Sequence, residues 1–169
     1  MIIRKVESYE AATLLALAES TFRAGFQHLN DPAHFEEYMG RAFTPEKIRQ
    51  ELATPGSTFY FAEWEGAIVG YMKLNSGKAQ SDIQSEPGLE LERIYVKPEH
   101  QGKKIGQFLL DEAISIGRTG GFPYLWLGVW EKNEAAIRFY YRHGFRQFSS
   151  HTFMLGNEPQ TDLLMKLAL

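Results

Sequence analysis

Along the chain the apolar positions change their period, and the changes predict the elements. Residues 2–6 read as a short strand, and from about Tyr9 to Phe22 the residues Leu14, Leu15, Ala18 and Phe22 recur at helical spacing. A second helix is predicted over 33–41. Thr44-Pro45 opens a third that runs to about Leu52, with Thr as N-cap and Pro at the first helical position, where its missing N–H is harmless. Residues 58–64 and 67–75 are rich in aromatic and β-branched side chains, and the Glu65-Gly66 between them marks a hairpin. The polar run 76–88 reads as a loop.

In the second half, 89–96 alternates as a strand, 97–100 turns, and 101 to about 118 is predicted helical, with Ile105, Leu109, Ala113 and Ile116 near one face. Gly120-Gly121 ends it. An apolar strand over 124–129 precedes a helix over 133–143 with Gly144 at C′, and two late strands follow near 145–155 and 161–167. The order βαααββ, then βαβαββ, predicts one α/β (α+β) domain over 1–169 with a mixed sheet, without repeats, linkers or low-complexity segments.

Composition narrows the function classes. The 169 residues are 44% hydrophobic, enough for a core without metal or disulfide staples. The net charge is −3 and no block of like charge is long enough to track a phosphate backbone, so nucleic acid is not an expected partner. Cysteine is absent, which removes disulfides, thiolate metal sites and cysteine nucleophiles together. His28, His34, His100, His143 and His151 are scattered without the helical pairing of a His-based metal site, so no metal is expected. The N-terminus becomes charged at Arg4-Lys5, and no run approaches the ~18 apolar residues of a membrane span. A cytoplasmic protein with no membrane partner is the expectation.

The candidate chemistry begins at Leu89–Val96, followed by Gln101-Gly102-Lys103-Lys104-Ile105-Gly106-Gln107. A strand feeds a glycine-bearing helix start. Free N–H groups and the positive helix end suit a pyrophosphate there, although the loop matches neither GxGxxG nor a Walker A pattern, and an ordinary strand-to-helix turn is the plain alternative. A second segment, Val129-x-x-x-Asn133-x-x-Ala136-x-x-x-Tyr140-x-x-x-Gly144-Phe145, strengthens the reading. Together the two segments resemble the GNAT superfamily of acyl-coenzyme A-dependent N-acyltransferases, with its Q/R-x-x-G-x-G/A helix start. More distant pieces, Thr21-Phe22…Phe26…Asn30, Tyr38…Ala42-Phe43-Thr44…Glu51-Leu52 and Gln160-Thr161-Asp162-Leu163, are similar to the PaiA-type spermidine/spermine acetyltransferases.

That resemblance implies a central sheet of about six to seven strands flanked by helices on both faces. It also implies acetyl-coenzyme A as co-substrate and a small amine, in PaiA-type members a polyamine, as acceptor. By resemblance the coenzyme contacts fall on Ile94, Tyr95, Val96, Gln101, Gly102, Lys103, Lys104, Ile105, Gly106, Gln107, Asn133 and Tyr140, and dimers are common in the family. Lys104 departs from the pattern, standing where the family has its first glycine. A positive φ there would strain it by about 1 kcal/mol, whereas a negative φ would free its ammonium for a phosphate.

Acyl transfer to an amine needs a base, an oxyanion donor and an acid for the departing thiolate. An amine of pKa near 10.4 is only ~0.04% neutral at pH 7, equivalent to roughly 4–5 kcal/mol. Glu90 and Glu92, two apart on a strand, share a face that Ile94 and Val96 would continue, and either is a candidate base or a solvated strand-end charge. By resemblance Tyr140 is the acid, and the backbone of Ile94, Tyr95 and Val96 supplies the oxyanion donor and pantetheine contacts. For a polycation, Glu19, Glu36, Glu37, Asp82, Glu86, Glu90 and Glu92 are available, and Trp64, Trp126 and Trp130 offer cation–π faces. The alternatives are acetylation of a protein N-terminus, a lysine or another small amine, and a non-catalytic acyl-coenzyme A-binding regulator.

Overall fold

In the computed structural model, which describes residues 1–82 and 87–169, β1 (Ile2–Lys5) leads into α1 (Ala11–Phe26), α2 (Pro32–Ala42) and α3 (Pro45–Ala53). The hairpin β2 (Ser57–Trp64) and β3 (Ala67–Ser76) follows, then β4 (Leu89–Val96), α4 (Ile105–Thr119), β5 (Tyr124–Trp130), α5 (Glu134–Arg142), β6 (Arg146–Leu155) and β7 (Glu158–Ala168). The strands form one seven-stranded mixed sheet in the order β1-β2-β3-β4-β5-β7-β6, in which only β4 and β5 are parallel.

Local chemistry sets these boundaries. Asp31 caps α2 by accepting from the N–H groups of Ala33 (2.9 Å) and His34 (3.1 Å), and Thr44 caps α3 by accepting from Lys47 N–H at 3.2 Å. Glu65 and Gly66 both have positive φ (53° and 80°), the backbone that a tight right-twisted hairpin demands.

The helices cover both faces. On one, Ile105, Leu109, Leu110 and Ala113 of α4 pack on Val69, Met72, Leu91 and Leu127, and cutting a buried leucine such as Leu109 to alanine there costs about 2–5 kcal/mol. On the other, Leu14, Leu17 and Ala18 of α1 and Ile48 of α3 pack on Phe59, Phe61 and Tyr71. A third cluster joins Phe35 and Met39 of α2 to Leu155 of β6, with Phe22, Tyr38, Phe43 and Phe153 around it.

Two departures from the sequence expectations matter for function. The helix expected from residue 101 starts at Ile105, because 101–104 form a turn in which Gly102 (φ 75°) and Lys104 (φ 62°) both take left-handed backbone. The stretch 76–88 is not wholly loop: β3 extends to Ser76, and a short 3-10 turn occupies Gly77–Ala79.

Candidate active site

Strand β4 carries a bulge at Glu92. Lys73 of β3 faces Arg93 and its neighbour Leu74 faces Leu91, so one extra β4 residue is inserted between them. The insertion shifts the side-chain alternation. Leu89 and Leu91 before the bulge, and Ile94 and Val96 after it, all belong to the α4-side core. Tyr95 joins the α1-side cluster instead. The expectation that Ile94 and Val96 continue the face of Glu90 and Glu92 is therefore corrected, because a bulge reverses the phase of everything beyond it.

The sheet also opens at this point. β4 pairs with β5 only at Leu89–Leu125 and Glu90–Trp126, and past these residues the two parallel strands separate. Two connected spaces occupy the gap. A cavity of about 560 Å³ is lined by Glu90, Glu92, Arg93, Tyr95, Trp126, Trp130, Tyr140, and by Tyr38, Asp82, His151, Phe153 and Asp162. A more open groove runs from Ile94, Tyr95 and Val96 past Gln101, Gly102, Lys104, Ile105, Gly106 and Gln107 to Asn133, Ala136 and Tyr140. Ile94, Tyr95, Asn133, Ala136 and Tyr140 line both, so the groove meets the cavity at Tyr140.

Of the expected coenzyme contacts, all but Lys103 line this groove. Lys103 turns away, with its Nζ 5.1 Å from the centre of the Trp64 ring. In the groove, α4 makes its first turn with Phe108 N–H donating to Lys104 carbonyl (3.0 Å), and no side chain caps its start. The N–H groups of Ile105, Gly106 and Gln107 thus lie ahead of the first intrahelical bond, aimed out of the helix end where an anion is stabilised. A Cβ on Gly102 would meet nothing within 4 Å, so this glycine serves its left-handed backbone. Across the groove, Asn133 caps α5 by accepting from Ala136 N–H at 3.2 Å. Tyr140 lies two turns further on, buried, and burial pushes its phenol well above the ordinary value, so it stays protonated.

The two candidate carboxylates differ sharply. Glu92 receives Lys73 Nζ at 2.6 Å, Arg93 Nη2 at 3.1 Å and the Asn75 amide at 2.6 Å. Burial pushes its carboxyl up, but the Arg93 and Lys73 charges and these hydrogen bonds outweigh it, and Glu92 titrates below the ordinary value. Arg93 is in turn held by Glu51 of α3 through two 2.9 Å bonds. Glu90 is only 2% exposed and has no cationic partner among the described residues. It accepts from Asn75 Nδ2 (2.8 Å), Ser81 N–H (2.8 Å) and Ser81 Oγ. Burial outweighs those hydrogen bonds and raises its pKa.

The remaining carboxylates separate by location. Glu19 and Glu36 pair with Arg23, and Glu37 with Arg41, on the helix surface away from the cavity. Glu86 lies outside the described residues. Trp126 and Trp130 line the cavity, Trp126 donating to Gln80 Oε1 at 2.6 Å, whereas Trp64 does not. Residue-by-residue reading missed the roles of Asp162 and His151, which β7 and β6 bring to the cavity, and of Tyr38 and Tyr71 in its wall. The signal for Asp162 was a carboxylate directly before the apolar run Leu163–Met165 of β7; His151 gave none.

The Acetyltransferase (GNAT) family model matches residues 14–145. An uncharacterized N-acetyltransferase from the pepI 3′ region of Lactobacillus delbrueckii subsp. lactis is 38% identical over 167 residues, covering 99% of this chain and 96% of its own. The spermidine N(1)-acetyltransferase of Thermoplasma acidophilum is 28% identical, covering 85% of this chain and 87% of its own. Among solved structures, the PaiA N-acetyltransferase of the same organism, in complex with coenzyme A, superposes with a TM-score of 0.78 at 24% identity, covering 99% of this chain and 98% of its own. With most of the chain inside the family match, a near full-length N-acetyltransferase relative, and strands splayed around a glycine-bearing helix start, this protein belongs to the GNAT acetyltransferase family.

Proposed function

We propose that the protein transfers an acetyl group from acetyl-coenzyme A to a primary amine of a polyamine of the spermidine type, by direct attack on the thioester. The observation that carries the acceptor is the charge of the cavity. Asp82, Glu90 and Asp162 line it without a lysine or arginine partner among the described residues, while Arg93 is committed to Glu51 and Glu92. Carboxyl groups without a lysine or arginine partner, set between aromatic walls of Tyr38, Trp130 and Phe153, suit a chain of methylenes bearing several ammonium groups. The relative named as a spermidine acetyltransferase points the same way.

Acetyl-coenzyme A supplies an activated acetyl thioester, and the groove fits it: N–H groups at the start of α4, without a partner among the described residues, face the space where its pyrophosphate would lie. Lys97 N–H bonds Val69 carbonyl on β3, so by the alternation of an antiparallel ladder Ile94 and Val96 turn their N–H groups toward the gap. Donors on that side suit a developing oxyanion and the pantetheine arm. Glu90, its proton affinity raised by burial, takes a proton from the acceptor's ammonium group, directly or through a water, and leaves the neutral amine that attacks the thioester carbonyl. Tyr140, protonated at neutral pH and lying where groove and cavity meet, donates to the departing thiolate.

Thiol release from acetyl-coenzyme A, read with a thiol-reactive dye, tests the assignment, since a chain without cysteine adds no background. Spermidine-dependent release is the expected outcome. Release only with a peptide N-terminus or lysine would replace the acceptor, and coenzyme binding without release under any amine would leave a regulator.

A further inference from the structure

Three consecutive residues beyond β3 reach three different strands. Gln80 is buried and its Oε1 accepts from Trp126 Nε1 of β5 at 2.6 Å. Ser81 donates its N–H (2.8 Å) and its hydroxyl to Glu90 of β4. Asp82 Oδ2 lies 2.6 Å from His151 Nδ1 of β6. Glu90 and Trp126 form the last pair before β4 and β5 separate, so Ser81 is pinned over the fork of the opened sheet by bonds on either side of it.

Glu90 is only 2% exposed, and each of its oxygens is already bonded. Oε2 accepts from Asn75 Nδ2 and from Ser81 N–H, and Oε1 accepts from Ser81 Oγ. Ser81, by contrast, is exposed and lines the cavity. A serine hydroxyl offers one donor and two acceptor sites. The donor is used on Glu90, and no described residue donates to Ser81 Oγ, so its lone pairs are left for a group in the cavity.

We propose that Ser81 is a further catalytic residue, whose hydroxyl carries the proton from the acceptor's ammonium group to Glu90. The proposal rests on the transfer reading above and specifies how its buried base is reached. In one concerted step an N–H bond of the ammonium breaks as its proton bonds to Ser81 Oγ, and the original Ser81 O–H bond breaks as its proton bonds to Glu90 Oε1. The products are a neutral amine, an intact serine and a protonated carboxyl, so neither an alkoxide nor an oxonium forms and no further reactant is needed. Burial of Glu90 favours this direction by raising its proton affinity.

Single-turnover acetyl transfer to spermidine in mixtures of light and heavy water reads the number of protons in flight. The wild-type rate should fall along a bowed curve as deuterium content rises, because two protons move together. Ser81→Ala should slow transfer by roughly tenfold or more, and Ser81→Thr, which keeps the hydroxyl, should stay within about twofold of wild type. A straight-line dependence in the wild-type protein, a Ser81→Ala rate within about twofold of wild type, or a Ser81→Thr rate as low as that of Ser81→Ala overturns the relay and leaves the transferase reading standing. The wild-type and Ser81→Thr measurements decide the matter if Ser81→Ala loses its coenzyme-dependent rise in melting temperature. Transfer to lysine but not to spermidine replaces the acceptor, and the same series is then read with lysine. Absence of transfer to any amine overturns the transferase reading, and the relay with it.

Discussion

Glu90 and Glu92 accept hydrogen bonds from the same nitrogen, Asn75 Nδ2, at 2.8 and 2.6 Å, and are shifted in opposite directions from the ordinary glutamate value of 4.5. The cause is the bulge. It turns Glu92 and Arg93 toward the same ion network, where Lys73 and Arg93 fix Glu92 as an anion, while Glu90 stays one step outside it in a buried pocket of neutral donors. Of the two candidates, only Glu90 has an environment that favours taking up a proton.

Glu90→Gln is expected to lower kcat by roughly a hundredfold and to abolish the acid limb of the pH–rate profile. In the wild-type protein that limb has its midpoint above 4.5, since burial raises the Glu90 pKa. A profile unchanged in shape and height would remove Glu90 as the base.

Glu92→Gln should act on stability first, by about 2–3 kcal/mol, because it strips a charge partner from Lys73, whose side chain is 6% exposed. The linkage signs differ for the two residues. The folded pKa of Glu92 is lowered, so its contribution is present above 4.5 and is lost as pH falls through the folded value. That of Glu90 is raised, so its contribution is greatest below 4.5 and is lost as pH rises through the folded value. Denaturant unfolding from pH 3 to 8 should therefore show Glu92→Gln flattening the acid-side fall in stability and Glu90→Gln steepening it.

Tyr140→Phe is expected to reduce kcat more than tenfold with little change in coenzyme affinity measured by calorimetry. The ring keeps its packing against Phe139 and Phe145, so only the proton donor is lost. An unchanged turnover would remove it from the reaction.

Lys104→Gly should raise stability by up to about 1 kcal/mol, the relief of left-handed backbone being partly offset by the entropy of an added glycine. Coenzyme binding should weaken a few-fold, because Lys104 lines the groove and the substitution removes a positive charge beside it. A variant altered in neither respect would show the position to be indifferent.

Gly70→Ala is expected to destabilise by more than about 2 kcal/mol, since the new Cβ would sit 2.6 Å from the Tyr95 carbonyl oxygen, a backbone atom of β4. Calorimetric unfolding should show this as a melting temperature lowered by several degrees.

Most elements were legible in the chain because their causes are local. Thr44-Pro45 starts α3, Glu65-Gly66 turns a hairpin and Gly144 (φ 90°) ends α5, each by rules that need only neighbouring residues. The spacing of Asn133 and Tyr140 likewise sets both on one wall of the groove, whatever the rest of the chain does. The start of α4 was misplaced by four residues because Lys104 takes a left-handed conformation that its side chain does not advertise. The bulge at Glu92 was invisible because it is a property of pairing between β3 and β4, and an unbroken alternation was the simplest reading of either strand alone.

The amino-acid sequence by itself determined the order of elements, the glycine-bearing helix start and the residue types available for acyl transfer, all consequences of short-range patterning. Tertiary structure alone decided which carboxylate is neutralised and which is not. Lys73, Asn75, Ser81, Glu51 and Arg93 come from separate segments, and the field at Glu90 or Glu92 depends on distance in space and on the low polarity of the interior. The same holds for Asp82, His151 and Asp162, up to 80 positions apart in the chain but joined within one cavity because β4 and β5 part and β6 and β7 close the far side.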